Sequence, residues 1–166
     1  MAVAFTVGEL DPAGFDAVLN AHRRRLYGIA YSILRSHAEA EDALQDVLLK
    51  AWRAWPTLRD KSTASPWLTR ICVNHCIDHR RRLWVRRTTS SEQDHPSGED
   101  LQLRGPFLDL DRAFRKLSRQ QRAAITLHNH YGYSIDECAA ILGCGSGSVR
   151  THIARALAHL RKEMTK

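Results

Sequence analysis

The hydrophobic residues of this chain recur at the three-to-four-residue spacing of α-helices, and no segment shows the β-branched alternation of a strand. A first helix is predicted from Phe15 to Leu34, where apolar side chains return repeatedly to one face. Pro66 suits the first turn of another helix, whose apolar positions continue to Ile77 and a run of arginines. The fold class is therefore predicted to be all-α.

Capping boxes mark three further helix starts, because a serine at each is followed three positions later by Glu or Gln. These serines are Ser36, Ser118 and Ser134. A proline at position 56 ends the first of the three helices. The capped helices are predicted at 37–55, at about 119–131 and at 135–142, and a shorter helix at about 108–117.

A turn rich in Gly and Ser, at 143–148, separates a short helix from a longer basic one. The longer helix carries Val149, Ile153 and Ala156 on its apolar face. This layout is that of a helix-turn-helix, here at about 134–153. No acidic residue occurs from 143 to 162, so the polar face suits the major groove of DNA. A solvated helix that only packs a bundle is the alternative interpretation.

The distribution of charge divides the chain into two basic parts. The 166 residues have 25 basic and 18 acidic side chains, a net charge of +7. The segment around residues 89–107 is acidic and contains Pro, Gly and Ser, a composition typical of linkers. We therefore expect two small helical domains, an N-terminal bundle at 1–88 and a C-terminal domain at 108–166, joined by a flexible acidic linker at 89–107.

Several classes of protein are excluded by composition. The longest apolar run, 26–34, is too short to cross a bilayer, and the first 15 residues do not resemble a secretory signal. Four cysteines in such a chain fit a reducing compartment. Gly-rich phosphate loops, nucleophile–base signatures and convergent carboxylate pairs do not occur. We expect a cytoplasmic protein without membrane insertion, enzymatic activity or cofactor.

Two pairs of potential metal ligands lie one turn apart on the third helix. Cys72 and Cys76 form one pair, and His75 and His79 form the other, at a spacing that can chelate metal. The cysteines fall on the apolar face and the histidines to its side, so no four-ligand set forms. Small hydrophobic residues and surface imidazoles are the favoured interpretation, and no metal is expected. A redox role stays open.

Three segments, in order, resemble the extracytoplasmic-function group of bacterial sigma factors. Residues 38–52 (AEAEDALQDVLLKAW) look like the polymerase-binding helix of that family. Residues 66–82 (PWLTRICVNHCIDHRRR) are similar to its promoter-melting segment. Residues 133–143 and 147–157 match its C-terminal helix-turn-helix. The resemblance covers both predicted domains.

The resemblance implies a dissociable initiation subunit that is monomeric when free and does no covalent chemistry. Such proteins bind core RNA polymerase, direct it to promoter DNA through the −35 and −10 elements, and help to open the duplex. The family commonly uses an anti-sigma factor as a restraining partner. If such a partner clamps two tethered domains together, the free chain is expected to be extended.

Family position also implies which residues make each contact. For the polymerase these are Asp42, Gln45, Asp46, Leu48, Leu49 and Trp52, with core packing as the alternative for Leu48. For the −10 element they are Asp60, Lys61, Ser62, Thr63, Arg70, Asn74, Asp78, Arg80, Arg81 and Arg82. For the −35 element they are Ser146, Ser148, Arg150, Thr151, His152 and Arg155, and the two serines can also cap their helix.

Two other functions stay open from the residues. One is a stand-alone transcription regulator that binds DNA through residues 134–162 without polymerase, which would leave the helix around Asp42 and Gln45 without a role. The other is a sigma mimic that titrates a regulator and binds no DNA. A mimic is expected to have lost the basic residues at 80–82, Arg150 and Arg155, which this chain retains.

Overall fold

The computed structural model describes residues 11–87 and 106–165. These residues form helices joined by short turns and contain no β-strand, so the predicted all-α fold is confirmed. The helices are α1 (Pro12–Leu34), α2 (His37–Ala54), α3 (Ala64–Arg87), α4 (Pro106–Lys116), α5 (Arg119–Ile125), α6 (Ile135–Leu142) and α7 (Ser146–Met164). Nowhere in these two ranges is a helix long and apolar enough to span a membrane.

The three helix starts predicted from serine caps are confirmed, with one difference in capping. Ser118 and Ser134 each form the complete, reciprocal capping box with the residue three positions on. Ser36 accepts from the backbone N–H of Glu39 at 3.3 Å, but the return bond is not formed. α1 begins earlier than Phe15, because Asp11 caps it and Pro12 occupies its first turn.

The N-terminal bundle, α1 to α3, is built around a buried tryptophan. Trp55 follows α2 in a short 3₁₀ turn and is 1% exposed. Phe15 meets it edge-to-face with ring centroids 5.3 Å apart. The remaining large side chains of this core come from all three helices and include Leu26, Ile33, Val47, Leu68 and Val73.

The C-terminal bundle, α4 to α7, differs from the sequence prediction in one helix. The helix predicted at 119–131 is α5 followed by a single π-helical turn, Thr126–His130, closed by a bond from the Tyr131 N–H to the Thr126 carbonyl. Periodicity does not distinguish a π turn from an α turn. This wider turn contacts α1. Single π turns within helices are frequent at functional positions.

The two bundles pack against each other in this structure. α1 contacts α5, α3 contacts α6, and a hydrophobic cluster shared by both bundles runs from Leu26 and Ile29 to Leu127 and Cys138. The expectation of an extended free chain is therefore wrong here, since apolar surfaces of both bundles are buried together. The predicted linker lies almost wholly outside the described residues, and α4 begins at Pro106.

Polar contacts join the bundles on either side of this core, and we call the whole contact region the bundle interface. The Arg25 guanidinium lies 5.0 Å from the ring centroid of Tyr131 and 5.1 Å from that of Tyr133. The Tyr131 hydroxyl donates to the Arg25 carbonyl at 3.3 Å. Tyr133 also reaches α3, where its hydroxyl lies 3.1 Å from that of Thr69.

Further hydrogen bonds and an ion pair extend the bundle interface. Ser32 and Thr126 share a hydrogen bond of 2.5 Å, and Arg119 donates to the carbonyl of Cys76 at 2.7 Å. Arg35, which ends α1 in a left-handed conformation, pairs with Asp111 of α4. Burial lowers the pKa of the Arg35 guanidinium, and the Asp111 carboxylate offsets part of the cost of burying that charge.

Candidate protein and nucleic-acid interfaces

The outer face of α2 carries an exposed row of polar and apolar side chains. Asp42, Gln45 and Asp46 are exposed, and Leu49 has 56% of its surface accessible. Their helical spacing places them on one side. The other two predicted residues turn inward, since Leu48 is half-buried and Trp52 packs edge-to-face on Phe15 with centroids 5.1 Å apart. Core packing therefore accounts for Trp52 and part of Leu48.

A groove of about 600 Å³ lies beside this row, between α1 and α2. The α1 side of the groove was not predicted from the sequence. Its arginines belong to the basic run at 23–25. The hydrophobic periodicity of α1 does not indicate that this run lies beside α2. The lining residues from α1 are Asn20, Arg23, Arg24 and Tyr27, and those from α2 include Gln45 and Leu48.

The loop before α3 is ordered by its own side chains. The Asp60 carboxylate accepts from the backbone N–H of Ser62 at 2.9 Å and from its hydroxyl at 2.7 Å. These two bonds lower the pKa of the Asp60 carboxyl. Thr63 donates to the Asp60 carbonyl, and the Lys61 ammonium lies 3.5 Å above the Trp55 ring. The loop is thus preorganised with its polar groups near the start of α3.

α3 presents three of the predicted −10 residues one turn apart. Arg70 and Asp78 are exposed and Asn74 is half-buried, so the three follow one side of the helix. Trp67 is half-buried and packs against Trp55 with ring centroids 6.2 Å apart, so it contributes to the core of the N-terminal bundle. Positions 80–82 continue α3, and the side chains of Arg80, Arg81 and Arg82 lie outside the described ones.

Of the cysteine and histidine pairs of α3, the structure describes the side chains of Cys72, Cys76 and His75, and that of His79 lies outside the described ones. Within the described part of the chain, no group of three or more His, Cys, Asp or Glu side chains is placed to hold a metal ion. Cys72 and Cys76 are fully buried, and their mutual hydrogen bonding together with burial raises the pKa of the Cys72 thiol. The interpretation of His75 as a surface imidazole is wrong, because it is buried between α2 and α3.

α6 and α7 form the predicted helix-turn-helix. Gly143 ends α6 in the left-handed region, at φ 66°, which glycine adopts without a Cβ penalty. Gly145 caps α7 through its backbone, so the expectation that Ser146 or Ser148 caps this helix is wrong. The Ser146 hydroxyl instead donates to the Asp136 carboxylate at 2.6 Å, which ties the start of α7 to α6.

The outer face of α7 remains available. Ser148, Arg150, Thr151 and Arg155 are exposed and His152 is half-buried. The Thr151 hydroxyl is bonded to the Gly147 carbonyl at 3.0 Å. The inner face of α7 is held by Val149, Ile153, Ala156 and Leu160.

The packing of the bundles leaves all three predicted contact surfaces accessible. Asp42 on α2, Arg70 on α3 and Arg150 on α7 are each exposed while the bundle interface is formed. Contact between the bundles therefore does not by itself cover these surfaces. An all-α fold with an accessible helix-turn-helix in a basic chain defines a DNA-binding transcription protein.

Comparison with known proteins identifies the family. Residues 18–86 match the model of Sigma-70 region 2, and residues 107–160 match that of Sigma-70, region 4. The ECF RNA polymerase sigma factor SigM of Mycobacterium tuberculosis strain H37Rv is 35% identical over 152 residues, covering 92% of this chain and 78% of SigM. The chain belongs to the extracytoplasmic-function sigma factors. It is an alternative sigma factor for promoter-specific transcription initiation.

Solved structures agree with this assignment over both bundles. RpoE of Bartonella quintana, solved in complex with the anti-sigma factor NepR, is 29% identical with a TM-score of 0.75, covering 91% of this chain and 96% of RpoE. CnrH, solved with the cytosolic domain of CnrY, is 27% identical with a TM-score of 0.59, covering 89% of this chain and 85% of CnrH.

Proposed function

We propose that this sigma factor binds core RNA polymerase through the exposed row on α2. The observation that carries the proposal is the placement of Asp42, Gln45 and Asp46 beside an exposed Leu49. Leu49 offers an apolar side chain to a partner, and the polar residues around it can form the hydrogen-bonded rim of such a contact. Acidic side chains in a basic chain also favour a protein partner over DNA.

The surface formed by the loop 60–63 and α3 is proposed to hold the separated −10 strand. Asn74 can donate to and accept from a base edge at once, and Arg70 supplies a cation for the strand beside it. The arginines at 80–82 are proposed to contact phosphates further along α3. Each phosphate contact adds about −0.7 to the slope of log affinity against log salt for a single strand.

The outer face of α7 is proposed to read the −35 element. Ser148, Arg150 and Thr151 are exposed at the start of this helix, and the start of a recognition helix is the part that contacts base edges in a major groove. Arg155, one turn beyond Thr151, is proposed to clamp a phosphate. His152 is the position at which we expect sequence preference to be set, and Ser146 is proposed to touch the DNA backbone while bonded to Asp136.

We also propose that an anti-sigma factor restrains this protein. The support is the relative RpoE, whose structure was solved with the anti-sigma factor NepR and matches both bundles. Because packing of the bundles leaves α2, α3 and α7 accessible, a second protein is needed to cover them. Such a partner would bind bundles that are already in contact. The free protein is proposed to be a cytoplasmic monomer that does no covalent chemistry.

The test is co-migration of the purified protein with bacterial core RNA polymerase on gel filtration. Asp42→Ala combined with Gln45→Ala removes the centre of the proposed contact. Asp16→Ala combined with Gln120→Ala is the matched control, since both residues are exposed and lie elsewhere. We expect wild type and control to co-migrate and the α2 variant to elute alone.

The outcomes separate the candidate functions. Loss of binding in the α2 variant alone supports an initiation subunit whose polymerase contact is on α2. Equal binding by both variants would place that contact elsewhere. Failure of the folded wild type to bind would favour a polymerase-independent DNA-binding protein or a mimic, which promoter DNA binding would then distinguish.

A further inference from the structure

A buried histidine joins α2 to α3. His75 of α3 is 7% exposed, and its ring meets two residues of α2. The Lys50 Nζ lies 2.6 Å from Nδ1 of the ring, and the Asp46 Oδ2 lies 3.5 Å from Nε2. Asp46 and Lys50 are one helical turn apart, so one face of α2 contacts both edges of the imidazole.

The chemistry of these neighbours determines the tautomer. An ammonium group has three donors and no acceptor, so Nδ1 must accept from Lys50. The proton of the neutral ring is then on Nε2, facing Asp46. The contact of 3.5 Å is longer than a good hydrogen bond, and the Asp46 side chain is 55% exposed. The carboxylate can therefore still receive a partner from outside.

The position of His75 connects two of the proposed contact surfaces. Asp46 belongs to the row proposed to bind polymerase, and Asn74, the neighbour of His75 in the chain, belongs to the surface proposed for the −10 strand. We propose that His75 is a positioning residue for promoter opening. Through Lys50 and Asp46 it fixes α3 against α2, so that Asn74 is correctly presented when the polymerase holds α2.

Packing alone would not require an imidazole at this position. An apolar side chain fills a helix–helix contact without the cost of desolvating two ring nitrogens. The Lys50 hydrogen bond adds what an apolar side chain cannot, because it fixes Nδ1 relative to one atom of α2, while the Asp46 carboxylate at 3.5 Å favours a ring orientation with Nε2 towards it. His75 itself is proposed to touch neither polymerase nor DNA, and the inference rests on the function proposed above.

The experiment compares four variants for polymerase affinity and for the rate of promoter opening. His75→Leu keeps bulk and removes both polar contacts, whereas the amide of His75→Gln can accept from Lys50 and donate to Asp46. Lys50→Met removes the ammonium group that donates to Nδ1 of His75, and it changes an exposed residue that is unimportant for packing the core. Arg53→Met is the matched control, since Arg53 is also exposed and basic on α2. Thermal denaturation reports whether each variant folds.

We expect His75→Leu and Lys50→Met to bind core polymerase within about twofold of wild type and to open the promoter roughly tenfold more slowly, as for loss of a partner to a buried polar group. His75→Gln and Arg53→Met are expected to open it at the wild-type rate. Opening is read from thymine reactivity in the separated strand.

Wild-type opening by His75→Leu would show that the ring only fills space and would overturn the proposal. Equal loss in His75→Leu and His75→Gln would also overturn it, by assigning the effect to ring shape. If polymerase affinity falls as far as opening does, the residue serves binding and not positioning. Should His75→Leu fail to fold, Lys50→Met decides by the same two measurements. Failure of wild type to bind polymerase would instead overturn the proposed function itself.

Discussion

The hydroxyl of Tyr131 lies directly above Gly28 of α1, at the bundle interface. A Cβ added to Gly28 would be 2.7 Å from the Tyr131 oxygen, closer than real Cβ contacts allow. Glycine is otherwise unfavourable within a helix, by about 1 kcal/mol relative to alanine. Its presence here is explained by the approach of the second bundle.

Gly28→Ala is therefore expected to lower the free energy of unfolding by about 1–2 kcal/mol, because overpacking outweighs the gain in helix propensity. Tyr131→Phe removes the oxygen that the new methyl group meets. In that background Gly28→Ala is expected to be neutral or to stabilise by up to about 1 kcal/mol. Urea denaturation of the four proteins of this cycle measures the coupling, and additive effects would contradict the proposed contact.

Arg25 is expected to hold the bundles together through its two tyrosines. Arg25→Met should lower stability by about 1–2 kcal/mol, the range for a partly desolvated cation–π contact. It should also accelerate amide hydrogen exchange in α5 and α6. Arg24→Met removes the same charge from an exposed neighbour. An identical response of the two variants would show that charge, and not the aromatic contact, is responsible.

Arg150→Ala is expected to weaken binding of a −35 element by about 1–3 kcal/mol if Arg150 reads a base. The loss should then be specific to the preferred sequence, as measured against a panel of single-base variants of the element. A uniform loss across all sequences would make Arg150 a phosphate contact. Arg161→Ala, an exposed arginine at the far end of α7, is the control and should retain both affinity and preference.

The four thiols are expected to differ in their reactivity. Burial and the nearby Glu137 raise the pKa of Cys138 to about 11. The hydrogen bond with Cys76 and burial also raise the pKa of Cys72. Because the thiolate is the reactive form, these groups stay protonated at pH 8, and labelling of Cys138 should increase up to about pH 11. Cys144 is half-exposed. A thiol reagent should therefore modify one residue rapidly in the native protein.

Cys144→Ser provides the check on this assignment. In that variant the rapid phase should disappear, while denaturation exposes the three thiols that remain. Rapid labelling that persists in Cys144→Ser would mean that a thiol of the core opens readily to solvent. In that case α3 or α6 would have to separate from its neighbours much more often than its burial implies.

The helices and the helix-turn-helix were predictable because their signals are local. The boxes at Ser118 and Ser134 and the glycine at 143 each act within a few residues. The bundle interface was not predictable, since Arg25 and Tyr131 are 106 residues apart. The sequence also does not distinguish Arg25 from the two arginines before it. The burial of His75 likewise depends on the packing of α2. The π turn was not predictable because one turn is too short to change the hydrophobic periodicity.

The candidate surfaces show the same division. Family position assigned Asp42, Gln45 and Asp46 to one contact. Their helical spacing explains why the three lie on a common side of α2. It did not show that Trp52 turns inward, since that depends on where Phe15 packs. Nor did it show that the Ser146 hydroxyl is hydrogen-bonded to Asp136 of the preceding helix.

The bundle interface restricts how the two halves of this protein can be exchanged. A hybrid that joins its first three helices to the last four of a relative without tyrosines at positions 131 and 133 would leave Arg25, Gly28 and Thr69 opposite unmatched side chains. With α7 reading the −35 element as proposed, replacing α7 alone would be expected to change promoter preference and to leave the bundle interface intact. For engineering, we therefore expect the transferable unit to be α7, the helix proposed to read the −35 element, rather than the half-molecule.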